Sequence, residues 1–212
     1  MENKDRLREH YLHKLREEGQ APASVYRFCQ ELGLSERDFF SHFASFEAIE
    51  QGFWRETVTG VLDAVRAGEE WDSFDARQKL LTFLYAFTEK SLDFRSLLLL
   101  RFQEVSVFKK LGVSRGMEEA FKDFAREILE QGRESGEVAR RGRLNALQPE
   151  ALYVLFRAVM DYHLKDTSEG YERTDAFIEK AVTLGFDLLR TQVIDSTFDL
   201  ARFLFARRSV TA

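Results

Sequence analysis

The stretch from Ser24 to Ile49, SVYRFCQELGLSERDFFSHFASFEAI, constrains this chain more than any other. Val25, Phe28, Cys29 and Leu32 recur at i, i+3, i+4 and i+7, which gives a short helix one apolar face. Gly33 ends that helix, because glycine takes the left-handed C-cap conformation at little cost. Leu34 follows as a plug between helices. Ser35 stands where an N-cap belongs, and Asp38 three residues on can return the bond as a short-armed capping box. The next helix carries Phe39, Phe40 and Phe43. Two short helices about a glycine turn make a helix-turn-helix, whose second helix is shaped to enter a major groove.

Around this unit the chain reads as all-helical. Hydrophobic residues make up 44% of the 212 positions, strand-like alternation is absent, and the two prolines, Pro22 and Pro149, sit at helix edges. Helical spacing predicts a first helix over 4–18, with Leu7, Tyr11, Leu12 and Leu15 on one face and Gly19 at its end. Lys4, Arg6 and Arg8 at its start are read as a solvated face or as backbone contacts of an arm before the helix-turn-helix. A long amphipathic helix follows over 47–67, then helices over 74–92 and from about 93 to Gly112, the latter apolar almost all round at Leu97 to Phe102. Further helices are predicted over 114–131, from Pro149, over 174–192 and over 196–207. Asn145 and Gln148 are weak candidate caps before the proline helix. Gly132, Gly136 and Gly142 mark a stretch with Arg133, Arg140, Arg141 and Arg143, read as a solvated loop or a basic contact patch. Gly185 interrupts an apolar stripe and is explained if another backbone crosses closely there.

Phenylalanine is the compositional anomaly, at 20 residues, and core packing accounts for most of it. The single cysteine, Cys29, rules out an internal disulfide framework and reads as a small core residue. His163 lies on an apolar helix face, as a core or rim residue or a ligand sensor. His10 and His13, at i and i+3, read as surface. No Gly-rich phosphate loop, His-Glu-x-x-His, cysteine pair or nucleophile elbow occurs, so the expectation is a non-enzyme without cofactor or metal. No secretory pattern opens the sequence and no apolar run is long enough to span a bilayer. A cytoplasmic protein without membrane insertion is expected.

The Ser24–Ile49 stretch resembles the N-terminal DNA-binding domain of the tetracycline-repressor (TetR) family. Ser24, Val25, Phe28 and Cys29 stand at the family's Thr-Val-x-x-Ile-Ala, and Gly33, Leu34 and Ser35 follow in register. Phe40-Ser41-His42-Phe43 matches Tyr-x-His-Phe, and Ser45-Phe46-Glu47-Ala48-Ile49 matches Ser-Lys-Glu-x-Leu. The resemblance implies a helix-turn-helix domain over 1–48 and a helical ligand-binding and dimerisation domain over 49–212. It also implies a homodimer through the C-terminal helices, with 174–192 foremost, and a long helix over 47–67 that transmits ligand state. The implied partners are double-stranded operator DNA and a small apolar ligand.

By the same resemblance the DNA-binding residues are Ser24, Tyr26, Arg27, Ser35, Glu36, Arg37, Phe40, Ser41 and His42. Arg37 is the foremost base reader, since arginine addresses guanine bidentately. The chain departs from the family at two contacts: Phe46 replaces the lysine that meets a phosphate, and Phe40 replaces the tyrosine. From Ser24 to Glu50, Arg27 and Arg37 face five acidic residues, Glu31, Glu36, Asp38, Glu47 and Glu50. An acidic reading helix binds DNA poorly unless its carboxylates face away or accept from cytosine amines. A second reading is therefore a TetR-like fold without DNA binding that holds a lipid or isoprenoid.

Overall fold

In a computed structural model, residues 3–103, 112–140 and 142–191 are described, and among them every regular element is helical. The helices are α1 (Asn3–Glu18), α2 (Val25–Glu31), α3 (Glu36–His42), α4 (Phe46–Arg66), α5 (Ala76–Ser91), α6 (Arg95–Phe102), α7 (Arg115–Ser135), α8 (Gln148–Lys165) and α9 (Glu172–Arg190). Single 3-10 turns at Trp71–Ser73, Leu92–Phe94, Gly112–Ser114 and Glu169–Tyr171 and a longer one at Gly142–Leu147 join them. The helix expected over 196–207 lies outside the described residues, as do residues 104–111 of the helix expected up to Gly112 and Arg141 of the expected loop. The chain forms two compact units: Met1–Ala64 with Phe87–Phe121, and Val65–Ala86 with Lys122–Ala212.

In the first unit, α1 buries the face its spacing predicts, Leu7, Tyr11, Leu12 and Leu15. Phe28 and Cys29 of α2, Phe39 of α3 and Ile49 of α4 are buried with it. Phe46 lies flat on Tyr11, with ring centroids 5.1 Å apart at 12°. It meets Phe28 at 5.1 Å and Phe39 at 5.3 Å, both edge to face. Such contacts add to the area each ring buries. Further along, Trp54 packs edge-on against Phe94 and Phe102. In α6 the leucine run is one-sided: Leu97 and Leu98 are buried, whereas Leu100 is exposed.

α4 carries a buried carboxylate. Glu50 is only 3% exposed, and it accepts from the Tyr11 hydroxyl at 2.6 Å. Arg101 of α6 donates to both its oxygens, each at 2.8 Å. Burial, then the bond to Glu50, pushes the Tyr11 phenol well above its ordinary range. α7 approaches α4 very closely, because a Cβ on Gly116 would overlap the Gln51 carbonyl. The Gln51 amide donates to the Gly112 carbonyl at 3.1 Å in the same region.

In the second unit, Phe83 lies between Phe124 at 5.2 Å and Phe156 at 5.6 Å. Trp71 is buried near Phe124, with the Lys79 ammonium 5.3 Å from its ring. α5 opens with an unforeseen capping box: Asp75 accepts from the Gln78 amide at 2.7 Å and its own amide donates to the Gln78 side chain at 2.9 Å. Pro149 occupies the first turn of α8, as expected. Leu147 takes the cap position, while Gln148 is the first helical residue and accepts from Arg133 at 3.0 Å.

Three expectations here are corrected. α7 does not stop at 131 but continues through Gly132 to Ser135, because that glycine makes room for Val138 rather than a turn. The following stretch is not a freely solvated loop: Glu137 accepts from the Ala76 amide at 3.1 Å, Val138 is buried, and the Ala139 amide donates to the Leu189 carbonyl at 3.1 Å. At Gly185 the close neighbour is a side chain, with Leu155 Cδ1 3.0 Å from an added Cβ, and not a crossing backbone. The α8–α9 link holds a carboxylate missed in the sequence. Asp166 accepts from the amides and hydroxyls of Ser168 and Thr174 at 2.7–2.8 Å. Burial pushes that carboxyl up, but these bonds outweigh it and hold it far below the usual range.

Candidate nucleic-acid interface

Local chemistry fixes the geometry of α2 and α3. Ser24 caps α2 by accepting from the Arg27 amide at 3.3 Å. At its far end Gly33 takes φ +66°, the Leu34 amide reaches the Cys29 carbonyl at 2.9 Å, and the Gly33 amide reaches Gln30 at 3.1 Å. These paired bonds form a Schellman motif, which the glycine made legible. α3 then starts with the expected capping box: Ser35 accepts from the Asp38 amide at 3.2 Å, and the Ser35 amide donates to the Asp38 carboxylate at 2.8 Å. The hydroxyl and amide of Ser35 hold the Asp38 carboxyl below its ordinary value.

The proposed DNA contacts divide into structural hydroxyls and outward side chains. The Ser24 and Ser35 hydroxyls cap helices, and Ser41 donates to the Asp38 carbonyl at 2.8 Å. Tyr26 and Phe40 are 56% and 55% exposed, and Arg27, Glu36, Arg37 and His42 are exposed too. On α3 the exposed positions Glu36, Arg37, Phe40 and Ser41 fall on one helical face. Tyr26, Gln30, Gly33, Leu34, Ser35 and Glu36 line a cleft beside the turn. Gln30, exposed there, was not singled out from the sequence. Cys29 borders the same cleft, but it is 1% exposed. Its thiol is pushed up by burial and by Glu36 and Asp38, which makes it a poor nucleophile.

The acidic count of this region overstates the charge it offers. Glu31 accepts from Lys14 at 2.7 Å and meets His10 at 3.0 Å, and these bonds hold its carboxyl low. Asp38 is engaged in its cap and Glu50 is buried against Arg101. Glu36 and Glu47 remain as exposed carboxylates, while Arg27 and Arg37 are both exposed. His10 is therefore more than surface, since it ties α1 to α2; His13 pairs with Glu17 at 3.2 Å. Arg6 donates to the Leu32 carbonyl at 3.2 Å and Arg8 pairs with Glu56, so of the early basic residues Lys4 is the exposed one. Phe46, at the place of the family lysine, packs into the aromatic core. His163 is buried against Tyr171, with rings 4.8 Å apart. No group of three metal-ligating side chains occurs among the described residues, and no described helix is long and apolar enough to cross a membrane.

A family model for the tetracyclin repressor-like C-terminal domain matches residues 79–204. The chain belongs to the TetR family. Solved structures agree in fold. A Shewanella sp. PV-4 protein described as a TetR family transcription regulator is 16% identical, with a TM-score of 0.62 over 89% of this chain and 98% of that one. A protein of unknown function from Rhodococcus sp. RHA1 is 15% identical, with a TM-score of 0.60 over 90% and 97%. None of the curated proteins compared with the chain matches it. The matched TetR model covers the C-terminal helices; the helix-turn-helix assignment rests on the caps and turn described above.

Proposed function

We propose that this TetR-family chain is a dimeric transcriptional regulator that binds operator DNA through α2 and α3 and is released by a small apolar ligand. The observation that carries this reading is the outward face of α3, where Arg37 is exposed while three of the five nearby carboxylates are engaged within the protein. Arg37 addresses guanine, and Arg27, Tyr26 and His42 meet the backbone. The exposed Leu184 and Leu188 of α9 support pairing with another copy. Release by ligand needs a coupling of only about 1–3 kcal/mol.

The test is binding of the purified chain to fragments from around its own gene and to random-sequence duplex, over about 50 to 300 mM salt. Saturable, sequence-selective binding that weakens linearly on a log–log salt plot is expected, and Arg37→Ala removes the selectivity. Absence of selective binding at every salt concentration defeats the regulator. The alternative is then a lipid or isoprenoid binder, which the replacement of the family lysine by Phe46 favours; mass spectrometry of lipids extracted with the protein tests it.

A further inference from the structure

Phe40 is out of place as a solvent-facing residue. Its ring is 55% exposed, and buried Phe39 sets it from behind, edge to face at 5.2 Å. Unlike Tyr26 it has no hydroxyl with which to reach a phosphate. Resting on the reading above, α3 enters a major groove, where base edges present carbonyls, ring nitrogens and amines. Pressing a phenyl ring on those groups strips their water and returns no hydrogen bond. The groove offers one apolar group, the 5-methyl of thymine.

Arg37 precedes Phe40 by three residues, about 4.5 Å along the helix axis. Base pairs are stacked about 3.4 Å apart, so the two side chains address the same or adjoining steps. We propose that Phe40 is a specificity-determining residue that reads the methyl group of a thymine adjoining the guanine bound by Arg37. Each operator half-site then carries a guanine next to a thymine, read by one cation and one ring. A ring lying on deoxyribose instead would be blind to that methyl.

The experiment uses the full chain. Selection from random duplex DNA supplies an operator, and each thymine in it is replaced in turn by deoxyuridine. That change removes a methyl and leaves every hydrogen-bonding group in place. At one thymine per half-site, beside a guanine, wild type should lose about four-fold in affinity, the worth of one buried methyl. Phe40→Ala should bind the thymine and uracil operators equally. Equal binding by wild type at every thymine overturns the inference, as does discrimination that survives in Phe40→Ala. The wild-type comparison stands even if the variant misfolds. A selection that returns no sequence defeats the regulator reading and this inference together. A selected operator indifferent to every methyl defeats this inference alone.

Discussion

Glu50 shows how much one side chain decides here. It is 3% exposed and receives Arg101 on both oxygens and Tyr11 on one. Removing one member of a buried pair strands the other charge, whereas replacing both by apolar groups of similar volume often restores stability. Glu50→Ala should therefore cost about 3–5 kcal/mol. The double variant Glu50→Leu, Arg101→Met should recover most of that loss in urea titrations; equal damage in both would show that the loss is the net worth of the pair itself and not a stranded charge. Asp166 makes the complementary case for pH. Its folded carboxyl is held below the unfolded value, so its stabilisation is complete above the usual carboxylate range, about pH 4, and is lost as pH falls towards the folded value. Asp166→Asn should melt lower than wild type at pH 7 and show a smaller fall in Tm from pH 7 to pH 3. An undiminished fall would mean that other carboxylates carry the acid sensitivity.

Helices in this chain are placed by glycine as much as by apolar stripes, and the same substitution should change sign with position. Gly116 of α7 is buried where a Cβ would meet the Gln51 carbonyl, and no side-chain rotation relieves contact with backbone. Gly116→Ala should destabilise by about 1–3 kcal/mol through forced displacement of α7. Gly60 of α4 is exposed and an added Cβ meets nothing within 4 Å, so Gly60→Ala should stabilise by about 0.5–1 kcal/mol through helix propensity. Thermal melts of the two variants check both signs. This contrast also marks what was legible in the sequence. Helix spacing gave the buried face of α1, and Gly33 with Ser35 gave the turn of the helix-turn-helix, because those signals are local. Gly132 was misread as a helix end, since a glycine that terminates a helix and one that admits a neighbour look alike along the chain. The pairing of Glu50 with Arg101, fifty-one positions away, has no local signal at all. Five nearby acids therefore read as an acidic interface until their partners were known.

At the scale of the molecule, the proposed assembly rests on a feature that α8 and α9 share. Each buries one stripe and offers a second about 100° away around the helix. On α9 the inner stripe is Thr174, Ile178, Val182, Phe186 and Leu189; the outer is Phe177, Ala181, Leu184 and Leu188, with Leu184 60% and Leu188 46% exposed. On α8 the outer stripe is Ala151, Leu155, Ala158 and Tyr162. Tyr162 lies flat on Phe177 at 4.4 Å, which joins the two stripes into one apolar face. A contiguous face of this kind marks an interaction surface, and a two-fold axis through paired helices makes it self-complementary. Leu184→Glu places a charge in the middle of that face at a position exposed in the single chain, so it should leave the fold intact. Light scattering should then fall from twice the 24.7 kDa chain mass to that of one chain, with unchanged helical circular dichroism. Operator affinity should drop with it, by about 10²–10⁴-fold, because two linked heads bind a two-fold site with an avidity that one head lacks. A Leu184→Glu variant that remains dimeric would place the subunit contact elsewhere. One that becomes monomeric yet binds the operator undiminished would remove the need for two heads.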